Sequence, residues 1–396
     1  MAEALKRRIG VGLLTAYGVG VMVGAGIYVL VGAVAAEAGI HAPWAFLLAG
    51  VIAAPTALSY AEFSTRIPEA SGEAAYVEKG LGLPMLGLLV GLAIVAAGTI
   101  SAAAVLSGGV GYLTAILPVP ETIAIVAVGL LLAGVAIVGV LESLALAAVF
   151  TAIEVIGLLL VVWAGFSVES SAAALDPVPF ALGGVAAAAV LAFFAFIGFE
   201  DIVNMAEEVE NPLKNMPRAI LYSLVIATSI YALVSWAAVR AVPVEALADS
   251  RQPLALVWQA SKGGEAQFLS AIAVFAALNG VLAQIVMASR VLFGLGRKHG
   301  SLKVFNRAHS KLGTPVLATL LIGGMVIIGA LALPLATLAE VTSTILLSVF
   351  VIVNVSLVIL KSRQPDASFR VPMYVPVFGF LAAGIALIAN LSGVAA

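Results

Sequence analysis

The sequence predicts an all-α, polytopic membrane protein of about eleven spanning helices, and three observations carry that prediction. Of its 396 residues 63% are hydrophobic and 10% charged, with a mean hydropathy of +1.17, against about a quarter charged in a soluble domain. The apolar residues fall into runs long enough to cross a bilayer, at roughly 20 residues per helix. The charged residues collect in the gaps, and the basic ones in alternate gaps.

In order, the runs occupy 10–35, 43–66, 84–116, 121–140, 144–167, 179–206, 217–241, 266–296, 314–333, 336–360 and 374–394. The first follows the basic Met1–Arg8 segment and is longer than a signal-peptide core, so it is expected to be retained. At its centre, where a span places good helix formers, stand Gly18, Gly20, Gly24 and Gly26, which predicts a break. The second run carries Pro55, a predicted kink, and Pro118 and Pro120 mark the boundary after the third. Glu142 falls at the turn between the fourth and fifth runs, where an interfacial place is expected, and the fifth holds the isolated acid Glu154 between Ile153 and Val155.

The sixth run carries a second glycine-marked interruption, Phe194-Ala195-Phe196-Ile197-Gly198-Phe199, followed by the consecutive acids Glu200 and Asp201. Each charge costs roughly 2.5–3.5 kcal/mol at a helix centre, so both should face water or partners. Glu207, Glu208 and Glu210 are expected at the surface, solvated or paired with Lys214 and Arg218. The seventh run leads into the longest polar loop, 243–265, expected to be solvated. Asn279 and Gln284 in the eighth and Thr342, Ser343 and Ser348 in the tenth would line a cavity or bond between helices.

Charge orients the chain. With the N-terminus in the cytoplasm, only Arg240, Arg251 and Lys262 of the 19 basic residues fall outside, an asymmetry that one missed span would scramble. The odd count puts the C-terminus, Ala396, outside, and the cell membrane is the expected location. A net charge of −2 excludes a general nucleic-acid role. The three histidines lie in loops, cysteine is absent, and no H-E-x-x-H or G-x-S-x-G pattern occurs, so no metal, cofactor or enzyme chemistry is indicated.

Five spans precede the loop 167–179 and five follow it, so the second set enters the membrane from the opposite side, as an inverted repeat requires. Repeat one covers about 10–167, repeat two about 179–361, and 374–394 is an extra helix, all within one transmembrane domain. Each repeat opens with an interrupted span. Paired interruptions are the best sequence pointer to a transporter site, because non-helical backbone at that depth must line a cavity or be held by protein.

The residues also carry a family resemblance. Gly24-Ala25-Gly26-Ile27-Tyr28 resembles the Gly-Ser/Ala-Gly-Ile-Phe/Tyr signature of the amino acid/polyamine/organocation (APC) permeases. Tyr60-Ala61-Glu62 with Pro68-Glu69-Ala70-Ser71-Gly72-Glu73 and Tyr76 is similar to the second-span and loop motif. Phe193 to Ile220, FFAFIGFEDIVNMAEEVENPLKNMPRAI, is close to the sixth-span motif along its length. Arg290 to Pro315, with Gly296-Arg297-Lys298-His299-Gly300 and Gly313-Thr314-Pro315, resembles the eighth-span exit, and Phe369-Arg370-Val371-Pro372 the approach to the eleventh span. The usual twelfth helix is missing, which leaves oligomeric contacts open.

The resemblance implies the leucine-transporter fold, with a substrate held by unwound parts of the first and sixth helices. N–H groups of Ala25, Gly26 and Ile27 at a half-helix N-terminus suit a carboxylate. Freed carbonyls of Phe194, Ala195 and Ile197 suit an ammonium. Met22, Val23, Phe194 and Phe199, with Ala97, Thr99 or Ser101 of the third span, would surround the side chain, and Gly24, Phe196 and Gly198 complete the expected substrate site. No acid is placed for a second ammonium, which favours neutral, hydrophobic amino acids; the alternative is a polyamine or organic-cation antiporter, with a sensor or membrane-embedded enzyme behind it. Relatives carry an aromatic lid at Phe194 and a gate acid at Glu200. Counted without gaps from Ala164-Gly165, Glu154 falls where proton-coupled relatives carry a lysine. Glu154, with Ser289 nearby, is therefore the expected proton carrier of a symporter or exchanger, since an acid in apolar surroundings favours its neutral form.

Overall fold

The computed structural model describes residues 9–68, 72–138, 144–169, 180–206, 209–264, 266–309, 312 and 314–392. Lys6, Arg7, Arg8, Glu69, Ala70, Ser71, Glu142, Glu207, Glu208, Glu265, Lys311, Gly313, Ala396 and most of the loop 167–179 lie outside the described residues.

The elements are helical throughout, with one isolated bridge, Ile9 to Val209, among the described residues. In chain order they are α1 Val11–Ala38, α2 Ala42–Arg66, α3 Gly72–Leu81, α4 Pro84–Ile116, α5 Glu121–Val138, α6 Leu144–Phe166 and α7 Leu182–Phe193. Two 3-10 turns, Phe194–Phe196 and Glu200–Met205, complete the sixth span. Then follow α8 Pro212–Ala241, α9 Val244–Asp249, α10 Pro253–Lys262, α11 Gln267–Lys298, α12 Val316–Ala332, α13 Leu335–Arg363 and α14 Tyr374–Leu391.

Every apolar run is helical among the described residues, the sixth ending in 3-10 turns. Among the described residues nine helices are long and apolar enough to cross a membrane, and Val11–Gly24 and Val316–Ala332 are shorter apolar ones. Prolines open α2, α4, α8 and α10, where the missing N–H is unpaired in any case and φ is preset. That is why α8 starts at Pro212, five residues before the apolar run suggests. Helix α1 is the hub, packed against α6, α7, α8 and α11; α2 lies on α7 and α8, and α13 on α4 and α14.

Two segments differ from expectation. The loop 243–265 folds as α9 and α10, with Leu247, Leu254 and Val257 buried. A Cβ on Gly32 would stand 2.4 Å from the Leu247 carbonyl oxygen, so this cap rests directly on α1. The loop after α2 forms α3, which buries Glu73, Tyr76 and Val77 against α4 and α13.

The two ends of the bundle differ in chemistry. Trp44, Trp163, Trp236 and Trp258 all lie at the end where α2 starts and α6 and α8 finish, and the Lys262 ammonium sits 3.6 Å from the centre of the Trp163 ring. Arg66, Arg297, Lys298, Lys361 and Arg363 lie at the opposite, basic end. Leu130, Val225, Ile328 and Ile385 are exposed between the two ends, the apolar girdle a bilayer requires.

Candidate functional site

The two glycine-marked stretches are real breaks, and they touch. In α1 the backbone leaves helical geometry at Gly24 (φ 14°, ψ −152°) and resumes after it. In the sixth span α7 ends at Phe193, Ile197 turns extended (ψ 128°), and Gly198 takes φ +124°, a value L side chains rarely adopt. A Cβ on Gly198 would lie 2.6 Å from Val21 Cγ1 and 3.1 Å from the Met22 nitrogen, and one on Gly26 would lie 3.4 Å from the Ala195 Cα. A Cβ on Gly280 of α11 would reach within 3.8 Å of the Gly24 Cα. Spans one, six and eight therefore meet where both chains are unwound.

The helix that resumes after Gly24 starts with N–H groups that have no partner one turn back, the positive end of a peptide dipole. On the facing break, the Phe194 carbonyl accepts from Ile197 N–H (3.2 Å) and the Ala195 carbonyl from the Tyr231 hydroxyl (2.8 Å). Each keeps a second lone pair for a ligand. Met22, Val23, Ile27, Phe194, Phe196, Ile197 and Phe199 are all buried, so the centre is shut in this conformation. One turn of α11 toward the tryptophan end, a narrow apolar void is lined by Leu106, Gly109, Val110, Val274, Ala277 and Val281. Thr99 is buried and donates to the Val95 carbonyl of its own helix (2.7 Å), beside buried Ala97 and Ser101.

Both acids of the sixth span are engaged. The Gly198 N–H donates to Glu200 Oε2 (3.0 Å), so Glu200 braces the break itself. Asp201 Oδ2 accepts from Gln284 Nε2 of α11 (3.1 Å). Below them Glu73 of α3, 3% exposed, faces Asp201 and Tyr60. Burial pushes its carboxyl up from 4.5 to about 8, aided by the charge of Asp201 and opposed by its own backbone N–H and the Tyr60 hydroxyl.

Glu154 is 1% exposed, with Oε1 accepting a long bond from Asn279 Nδ2 (3.4 Å) and Oε2 without a protein partner. Ser289 is not its neighbour. It stands ten residues beyond Asn279 on α11, about 15 Å along the axis at 1.5 Å per residue, and donates to the Val286 carbonyl (2.9 Å). A chain of hydroxyls ties this acid's backbone to the first break: Tyr112 donates to the Tyr28 carbonyl (2.5 Å), and Tyr28 to the Glu154 carbonyl (2.9 Å). Sequence reasoning missed Tyr112 and Tyr231, and the only signal was that a tyrosine in an apolar run must place its hydroxyl. Among the described residues no group of three or more His, Asp or Glu side chains is arranged to hold a metal ion.

Comparison with known proteins agrees with the motifs. The family model described as amino acid permease matches residues 10–395. The branched-chain amino acid permease BcaP of Bacillus subtilis (strain 168) is 30% identical over 93% of this chain and 84% of its own length. The methylthioribose transporter of the same organism is 29% identical over 86% of this chain and 78% of its own. The vacuolar cationic amino acid transporter 2 of Arabidopsis thaliana is 30% identical over 81% and 54%.

Proposed function

Because the chain belongs to the amino acid permease family, a family of transporters and not of enzymes, we propose that it carries neutral, hydrophobic amino acids by alternating access, held between the breaks of spans one and six. That it is a multi-pass amino acid transporter follows from the family and the helices; the cargo, the coupling and the site residues are our reading. The observation that carries this reading is the contact of two unwound stretches, one offering N–H groups and the other carbonyls. Ala25, Gly26 and Ile27 would bind the carboxylate, and Phe194, Ala195 and Ile197 the ammonium. Met22, Val23, Phe194 and Phe196 would receive the side chain, with Phe194 as lid.

The preference for an apolar side chain draws on two supports. Met22, Val23, Phe194 and Phe196, which would receive that side chain, are all apolar and buried. One of the similar proteins is a branched-chain amino acid permease. We place proton coupling on Glu154, with Asn279 rather than Ser289 beside it, since an unpaired carboxylate oxygen at that depth is best satisfied by a proton. Glu200 would act as a gate by letting go of the Gly198 N–H. The basic end would face the cytoplasm of a cell membrane and the tryptophan end the outside, in keeping with the charge rule and aromatic belts. The two repeats would run over about 10–167 and 179–361, each led by its broken span, with 374–394 as the extra helix.

Counterflow of labelled leucine in proteoliposomes tests the cargo. Saturable exchange, competed by isoleucine and valine, is expected; absence of leucine counterflow together with saturable counterflow of labelled putrescine would establish the polyamine alternative. For coupling, Glu154→Gln should exchange substrate with no pH dependence, and an unchanged pH profile would remove Glu154 from the role.

A further inference from the structure

At the basic end, remote from the groups assigned above, the carboxylate of Glu62 is buried and fully bonded. Its Oε1 accepts from Arg66 Nε (2.9 Å) and Nη2 (2.6 Å), and its Oε2 from Lys361 Nζ (2.6 Å) and the Val371 N–H (2.9 Å). Lys361 also donates to the Val371 carbonyl (2.6 Å), and Arg66 Nη1 to the carbonyls of Gln364 (2.7 Å) and Asp366 (3.3 Å). The side chains are 0%, 6% and 2% exposed for Glu62, Arg66 and Lys361. The knot joins the end of α2 to the end of α13 and to the segment leading into α14.

Its position gives it more than a bracing role. Helix α2 packs on α7 and α8, beside the broken spans, and α13 packs on α4, while α14 packs on both α2 and α13. The seam between α2 and α13 therefore runs between the helices around the broken spans and α4, with α14 laid across it. Directly beneath the sixth-span break the seam is filled by rings: Phe199, Tyr60 and Phe350 lie with centroids 5.2–5.7 Å apart. Further polar bonds follow, Ser59 Oγ to Asn354 Oδ1 (2.6 Å) and Asn354 Nδ2 to Thr56 Oγ1 (2.9 Å). Rings, polar bonds and charged knot together close the way from the site to the basic end.

Charge is an odd choice for a permanent fastening. Taking ions out of water costs several kcal/mol each, and apolar side chains of similar volume hold a static seam as well or better. What charges offer is two acceptable states. Paired, they satisfy one another; once water enters the seam, each is rehydrated, so parting costs far less than it would in a dry interior. An interface that opens and closes in every cycle needs that property.

We infer that Glu62, Arg66 and Lys361 form a releasable lock on the basic side, paired while the site is shut toward that side and parted when it opens. This rests on the alternating-access reading above. The chain has no cysteine, so a single Ser59→Cys thiol, buried in the seam at 0% exposure in the native residue, reports opening to an impermeant maleimide applied from the basic side. In the otherwise intact chain, labelling should rise during leucine exchange and fall back without substrate. Adding Lys361→Met should raise basal labelling roughly tenfold or more, as loss of one partner of a buried pair implies, while Lys361→Arg keeps it low. Labelling independent of both substrate and Lys361, in vesicles that exchange leucine, overturns the lock; absence of leucine exchange in the unsubstituted chain overturns the transport reading instead. Should Lys361→Met fail to fold, the substrate dependence in the intact background decides alone.

Discussion

Replacing Gly198 by alanine tests the broken-helix site at its tightest point. Two costs add in the closed conformation. The φ of +124° is strained for a residue with a Cβ, at about 1–3 kcal/mol. The new methyl group would stand 2.6 Å from Val21 Cγ1, which can rotate aside, and 3.1 Å from the Met22 nitrogen, which is main chain and cannot. Together they amount to roughly 3 kcal/mol or more, a hundredfold loss of the site-forming conformation at 1.4 kcal/mol per decade. Gly26→Ala is the internal control, because its methyl group meets the Ala195 Cα at 3.4 Å, with no strained φ; it should cost less than about tenfold. The measurement is leucine counterflow with purified protein, scored only for variants that elute as a single species. Gly198→Ala with a native rate and a native half-saturation concentration would refute the claim that close contact of the two breaks forms the site.

Other expectations follow from the same bonds. Tyr231→Phe leaves the Ala195 carbonyl without its hydroxyl donor; at about 0.5–1.5 kcal/mol, the half-saturation concentration for leucine should rise severalfold with little change in thermal stability, and a native value would detach Tyr231 from the site. Glu73 gives a pH signature with a definite sign. Its carboxyl ionises near 4.5 when unfolded and near 8 in the folded chain, so between these values the folded state holds a proton that the unfolded state has released. Stability is full below pH 4.5, falls by up to about 1.4 kcal/mol per pH unit as pH rises through the window, and levels off above about 8. The apparent melting temperature in detergent should decline from pH 5 to 8, and less steeply for Glu73→Gln; equal slopes would contradict this. Asn279→Leu removes the described donor to Glu154 Oε1 and should displace the pH midpoint of leucine uptake, whereas Ser289→Ala should leave it in place.

What the sequence determined by itself was local and one-dimensional. Run length and hydropathy located the spans, because a bilayer demands about 20 apolar residues in a row. Gly24, Gly26 and Gly198 marked the breaks, and at Gly198 the residue type is required, because a Cβ there meets both a φ of +124° and the Met22 nitrogen at 3.1 Å. What tertiary structure decided was which residues meet. Asn279 rather than Ser289 faces Glu154, Tyr231 caps Ala195, and Lys361 reaches Glu62 across 299 positions of chain. The loop 243–265 and α3 turn out to be packed caps, with Leu247 and Tyr76 buried. The physical reason is the solvent. Lipid is as apolar as leucine, so a spanning helix needs no hydrophobic stripe to show which face turns inward. Without that stripe, only the packed bundle reveals which polar groups are partners.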